Sequence, residues 1–303
     1  MTAAPGYLSE AYARSLAEFG TPRLLPRSGG WVLERAIGEC GLKDAMGPYP
    51  LFACRDWDAL EADVEALAGE LVSLTLVADP FGGADPERLR RAFPDRCYPF
   101  KEHFVAETEG ADLARASKHH RYYARKALAA VELDLLEGDA TAAFAAEWEE
   151  LYGNLRRRHG LSGIKAFSPS AFEQQLRVPG ALVLRAREAG VTVGAHIWYV
   201  QGEVAYSHLA AVSERGYALM AAYGLYAFAL DVFRQRVRLV DWGAGAGTGA
   251  DAGGLTRFKR GWATGTVPVH LCARILDPEA YARLSAQTPE TAYFPMYRAG
   301  ELS

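Results

Sequence analysis

With 303 residues, half of them apolar, the chain is long enough for one large core or two domains of about 150 residues, which excludes disorder and a small stapled fold. Acidic residues outnumber basic ones 37 to 33, so any nucleic-acid binding must come from a local basic stripe rather than from the overall field. The four cysteines, Cys40, Cys54, Cys97 and Cys272, lie far apart without Cys-x-x-Cys spacing, which argues against a structural zinc or a disulfide framework and predicts reduced thiols in a cytoplasm.

The N-terminus "MTAAPGYLSEAYARSLAEF" has no basic segment leading into an apolar one, so no signal peptide is expected, and a helix is predicted near 7–18. "GWVLERAIG" reads as a strand, about 57–67 as a helix, and "LVSLTLVAD" as an apolar strand ending in the turn "PFGG". "PERLRRAF" and "CYPFKEHFVAE" follow as helix and strand, so the first 110 residues read only as mixed α/β. The next helix, "DLARASKHHRYYARKALAA", carries Arg115, Lys118, Arg121, Arg125 and Lys126 with no acid after Asp112. Steps of three and four residues put most of these cations along one side, either as donors to phosphate or as the solvated face of a linker helix. His119 and His120 are adjacent rather than four apart, so a helical metal pair is not expected.

The remaining elements are more regular. Strand "VELDLL", helix "TAAFAAEWEELYGNLRRRH", short helix "PSAFEQQL" and strand "ALVLRARE" precede strands "VTVGAHIWYV" and "VAYSHLAAV". A helix over 217–234, strand "VRLVDW", a helix around 255–262 and strand "VPVHLCARIL" complete the order β-α-α-β-β-β-α-β-α-β. The apolar run from Tyr217 to Leu230 ends at Asp231, short of the roughly 18–20 residues that cross a bilayer, and predicts a buried helix in a soluble protein.

"VRLVDWGAGAGTGADAGG" poses a choice. Its spelling resembles the first motif of S-adenosylmethionine-dependent methyltransferases, and Gly247, Gly249 and Ala252 form a loose dinucleotide fingerprint. Both readings need the strand to open a doubly wound parallel sheet, yet only residues 250–303 follow, and three consecutive strands with tight turns upstream favour antiparallel pairing. The methyltransferase therefore stands as the lesser alternative. In position, the loop is expected to be a mobile connection, with Asp241 at the strand end facing the site or capping the loop.

Three consecutive strands, a long helix, a strand, a short helix and another strand resemble the GNAT acyltransferase fold over residues 130–276. "SKHHRYYARKALAAVELDLLEG", the 206–234 region and "GGLTRFKRGW" resemble more specifically the Fem-type peptidoglycan-bridge aminoacyltransferases and related acetyltransferase-like domains. The resemblance implies an α/β fold, a GNAT-like mixed sheet flanked by helices. It also implies two such domains in tandem: residues 1–112, a connecting basic helix and first strand at 113–135, and a C-terminal acyltransferase domain at 136–303.

The activity implied is transfer of an acyl or aminoacyl group to a small-molecule amine, from acyl-coenzyme A or aminoacyl-tRNA as co-substrate, without a metal or a tightly bound cofactor. GNAT folds bind the donor pyrophosphate where the fourth strand meets the next helix, here "SERGYA", with Ser213, Arg215, Gly216, Tyr217 and Ala218. Gly216 and Ala218 match the usual pattern, whereas Ser213 stands where Gln or Arg is usual. Lys259 is, by resemblance, the donor to the tetrahedral oxyanion; the structural alternative is an exposed cation of "RFKR". If Gln201 and Gly202 form the turn, Tyr199, Tyr206 and His208 share one strand face and His196 lies on the other, which offers Tyr206 and His208 as proton carriers or as core residues. Lys118, Arg121, Arg125, Asp241 and Arg257 are the candidates for acceptor or phosphate binding. A catalytically inactive GNAT-like binding module is the alternative outside the enzymes.

Overall fold

The computed structural model describes residues 4–109, 113–245 and 253–301; Asp112 and the fingerprint positions Gly247, Gly249 and Ala252 lie outside the described residues. The chain divides into two compact units. An N-terminal unit comprises Tyr7–Phe100, Ser162–Ala166 and Pro268–Ser303, and a central unit comprises Met1–Gly6, Lys101–Leu161 and Phe167–Val267. Residues 268–303 thus pack with the N-terminal segment, whereas the division expected at residue 112 groups them with the C-terminal domain.

The N-terminal unit begins with α1 (Glu10–Ser15), β1 (Thr21–Leu24), β2 (Trp31–Ala36), β3 (Lys43–Met46), α2 (Leu60–Ala66), β4 (Ser73–Val77) and α3 (Pro86–Ala92). β2 pairs antiparallel with β1 and β3, and β3 runs parallel to β4. β1 and β3 were not expected, because "TPRL" and "KDAM" are too short and too polar to show a period of two. The expected helices and strands at 57–67, 71–79 and 86–93 form around their apolar positions, which build a core of Phe52, Trp57, Leu60, Val64, Leu74, Leu76, Leu89 and Phe93. Asp63, 2 % exposed, accepts from the backbone N–H groups of Arg27 and Ser28 and from the Ser28 hydroxyl, fixing the β1–β2 turn.

The chain continues through β5 (Arg96–Glu107), α4 (Lys118–Leu128), β6 (Glu132–Leu136), α5 (Asp139–Ala143), α6 (Ala145–His159) and α7 (Pro169–Gln175). Then come β7 (Ala181–Glu188), β8 (Val191–Gln201), β9 (Val204–Val212), α8 (Glu214–Ala218), α9 (Ala221–Phe233), β10 (Leu239–Ala244) and α10 (Gly254–Arg260). β11 (Gly265–Ile275) follows, and its last residues pair antiparallel with β4; α11 (Pro278–Ser285) completes the series.

In the central unit the strand order is β5-β10-β9-β8-β7-β6. Only the β9–β10 pair is parallel; the four other pairs are antiparallel, the β7–β8 and β8–β9 pairs as their tight turns predict. The β8–β9 turn is Gly202-Glu203, one residue later than expected, with Gly202 at φ +59 and Gln201 opposite Val204. The later turn moves each partner by two residues, so the faces are kept. Tyr199 donates to the Gln175 carbonyl of α7 on one face, while His196 and Trp198 pack against Tyr226 and Phe233 of α9 on the other.

The helix expected over 217–234 is two helices: Met220, at φ +60, ends the first and opens the second, a left-handed conformation that no helix accommodates. α9 is buried as its all-round apolar sequence requires, and its Phe233 packs with Trp198, Trp242 and Leu184 in the core beneath it. Burying a side chain such as Phe233 is worth roughly 1.5–3 kcal/mol. No helix among the described residues is long and apolar enough to cross a membrane.

Candidate active site

β9 and β10 run together for only three residue pairs, Leu239 with Val204, Val240 with Ala205 and Asp241 with Tyr206. Beyond them β9 continues paired with β8 and β10 with β5. Each strand is bulged near the point of separation: His208 is the extra residue in β9, between Ser207 opposite Trp198 and Leu209 opposite Ile197. In β10 the extra residue is Trp242, between Asp241 opposite Val105 and Gly243 opposite Phe104. A bulge bends its strand and re-aims the side chains beside it, a device common next to active sites.

The polar groups gather at the end of β10. Both Asp241 carboxylate oxygens lie within hydrogen-bond distance of His103 Nδ1, at 2.9 and 3.1 Å, and Asp241 is 2 % exposed. Asp241 Oδ1 also accepts from the Gly243 N–H at 2.7 Å, across a backbone that takes φ +72 at Gly243. Lys259, on α10, donates from Nζ to the Ala244 carbonyl at 2.7 Å, and a Cβ on Gly243 would stand 3.3 Å from that nitrogen. The Lys259 side chain is half-buried along its length with its ammonium end enclosed. Burial pushes its pKa down to about 8; Asp241 pulls it up, and Lys101 pushes it further down.

Lys259 does not lie loose in the "RFKR" run, because α10 is anchored. His120 of α4 binds the Phe258 carbonyl through Nε2 at 2.8 Å and the Ser117 hydroxyl through Nδ1 at 2.7 Å. Ser117 N–H donates to the Gly261 carbonyl, and Gly261 is so close that a Cβ there would stand 2.1 Å from the His120 ring. Tyr223, Phe258 and Trp262 surround that ring with centroids 5.2–5.6 Å away. Beneath them the Ser207 hydroxyl joins His196 Nε2, at 2.7 Å, to the Tyr226 hydroxyl, and Tyr226 stacks on Trp242 at 4.6 Å. Lys259 and desolvation together hold the pKa of His196 well below that of an ordinary histidine, with desolvation the larger cause.

The other expected residues fall elsewhere. His208 lies on the face opposite His196, stacked on Tyr199 at 4.6 Å and 3.3 Å from Gln175 Oε1, where burial pushes its pKa down to about 3. Tyr206 is buried in β9 between Tyr199 and Asp241 in the pairing register. In the "SERGYA" turn, Ser213 Oγ caps α8 by accepting from the Gly216 N–H at 3.1 Å. Arg215 is paired with Glu188 at 2.7 Å, and Arg158 holds Glu214 at 2.8 Å while lying 4.1 Å over the Tyr217 ring. Gly216 packs on the β8 backbone, where a Cβ would come within 2.0 Å of the Val193 carbonyl oxygen. Ala218 closes α8. These groups are spent on one another rather than turned toward β10.

On α4, Lys118 and Arg125 are exposed, whereas Arg121 folds back onto the Ala114 and Ala116 carbonyls. Arg257 is exposed on α10, and neither it nor Lys118 nor Arg125 forms an ion pair among the described residues. A cavity of about 450 Å³ over α6 and α7, lined by Glu149, Arg156, Arg157, Phe167 and Phe172, contains none of the expected residues. Among the described residues no group of three His, Cys, Asp or Glu side chains could hold a metal ion. Sequence reasoning missed His103, whose partner is 138 residues away and whose strand carries no local sign of it.

No protein-family profile and no curated protein matches the sequence. Solved structures do match. Over 89 % of this chain and 88 % of the other, it is similar to the C-terminal domain (DUF2156) of a putative lysylphosphatidylglycerol synthetase from Agrobacterium fabrum, with a TM-score of 0.64 at 15 % identity. FemX gives 0.65 at 12 % identity over 92 % and 94 % of the two chains. L-PGS from Bacillus licheniformis gives 0.57 at 12 % identity over the same shares. The chain therefore has the mixed α/β, GNAT-like fold expected from its order of elements, in the form seen in these three structures.

Proposed function

We propose that the chain transfers an aminoacyl group from the ester of an aminoacyl-tRNA to a primary amine. The observation that carries the reading is the Lys259 ammonium, enclosed beside the Ala244 carbonyl where β9 and β10 part, with a carboxylate near it and a pKa of about 8. At neutral pH that ammonium is charged. A fixed cation in an enclosed place stabilises the oxyanion that forms when an amine adds to an ester carbonyl, more than it stabilises the neutral ester. Its charge is set in place by α10 before the reaction, so little reorganisation is needed.

Two features support tRNA over acyl-coenzyme A as co-substrate. The Gly216 N–H, which a pyrophosphate would need, is taken by Ser213, and Arg215 is taken by Glu188. Lys118, Arg125 and Arg257 are exposed cations without acidic partners, as phosphate contacts require. The name of a neighbour, a putative lysylphosphatidylglycerol synthetase, is that of a protein that joins a lysyl group to an acceptor, which supports an aminoacyl group as the one transferred. In this reading a small-molecule amine and tRNA are the partners, and no tightly bound cofactor takes part.

The test uses bulk tRNA charged with labelled amino acids and a panel of primary amines: a lysyl peptide, glucosamine and spermidine. Label passes from tRNA to an amine in the presence of the wild-type protein, and Lys259→Met lowers kcat by about 100- to 1000-fold, the usual cost of removing an oxyanion donor. Transfer from acetyl-coenzyme A alone, or thermal protection by coenzyme A and none by tRNA, overturns the choice of donor. Equal rates in wild type and Lys259→Met overturn the role of Lys259.

A further inference from the structure

We propose that His103 is the base that accepts the amine proton, with Asp241 as the residue that positions it; the assignment rests on the transfer reading above. A carboxylate only accepts hydrogen bonds, so Asp241, with both oxygens near Nδ1, puts the imidazole proton on Nδ1 and leaves a lone pair on Nε2. The Gly243 N–H donates to the same carboxylate and holds it from the other side. His103 Nε2 has no hydrogen-bond partner among the described residues and is not enclosed, since the side chain keeps 10 % of its surface.

The other buried histidines differ on this point. His120 is bound through both nitrogens, His196 Nε2 is bound to Ser207, and His208 Nε2 faces Gln175. Among the described residues, His103 alone pairs its ring with a carboxylate. It also stands in the right place. His103 lies opposite Ala244 in the β5–β10 register, and the Ala244 carbonyl is the group that holds the Lys259 ammonium. His103 is paired with Asp241 from β10, and Asp241 together with Lys101, two residues before His103 on β5, also acts on the Lys259 ammonium of α10.

The step balances without a further reactant. The amine nitrogen forms a C–N bond to the ester carbonyl carbon, its proton passes to His103 Nε2, and the carbonyl oxygen becomes the oxyanion beside Lys259. The C–O bond to the ribose then breaks, and the departing oxygen takes the proton from His103 Nε2, giving the amide and a free hydroxyl.

The experiment measures kcat and KM for transfer from charged tRNA to the best amine of the panel, in wild type, His103→Gln and Asp241→Asn. His103→Gln lowers kcat by about 100-fold or more with KM for tRNA within about twofold, and added imidazole restores part of the rate. Asp241→Asn keeps the acceptor for the Gly243 N–H but turns the ring over to the Nε2–H tautomer, so kcat falls as far although His103 is present. The ¹⁵N resonances of the His103 ring report that change of tautomer and stand independent of activity and of any loss of fold in His103→Gln. Wild-type transfer with both variants within about threefold of it, or an Nε2–H tautomer in the wild type, overturns the assignment of His103 alone. Absence of transfer to every amine by the wild type overturns the transfer reading and the assignment with it.

Discussion

A lysine whose pKa is held at about 8 loses its charge within the ordinary range of assay pH. The transfer rate should fall as pH rises through 8, and Lys259→Arg, whose guanidinium stays charged, should remove that falling limb while lowering the rate through poorer fit. Stability responds in the opposite sense. The folded pKa lies below the ordinary value of 10.5, so between about 8 and 10.5 the unfolded chain binds more protons and stability from this group rises with pH, the burial penalty being fully present below 8. Urea midpoints across that window, with Lys259→Met as the flat control, check the sign. A second buried charge belongs to the N-terminal unit. Asp44, wholly buried, is held by Arg35, by Arg298 at two nitrogens and by the Tyr297 hydroxyl. Asp44→Ala leaves two largely buried guanidinium groups with only the exposed Glu301 as counter-ion, and should cost about 3 kcal/mol in chemical unfolding.

Helices and strands were legible where a pattern runs long enough. α4, α6, α9, β7, β8 and β9 form within a few residues of their apolar periods, and Ser117, read inside the basic helix, proves to be its cap. The break at Met220 was not legible, because it lies in an unbroken apolar run with no glycine or proline to mark it. Gly216 and Gly261 each allow a close approach between two elements of the central unit. Gly216→Ala drives a methyl group into the Val193 carbonyl, a backbone atom that cannot swing away, and should lower stability by roughly 2 kcal/mol or more without any ligand present. That melting loss separates a packing role from the donor-binding role expected for this glycine. Gly261→Ala instead pushes on the His120 ring and should reduce transfer through the displaced α10 helix.

The molecule as a whole carries a formal net charge of −4, so affinity for RNA has to come from a local face. The double variant Lys118→Glu/Arg125→Glu should weaken tRNA binding in fluorescence titrations at low salt and reduce the slope of log K against log salt by about 1–2. Unchanged affinity would remove α4 from the tRNA contact. The sequence by itself determined the mixed α/β class, the antiparallel meander of the central unit, the basic helix and the candidacy of Lys259 and Asp241, because each rests on a local period, a turn or a short motif. Tertiary structure alone decided the pairing of His103 with Asp241, the packing of His208 against Gln175 of α7 and the internal capping of the "SERGYA" turn. Those depend on which strands become neighbours and where they bulge, and that is set by long-range pairing and packing that a local pattern does not encode.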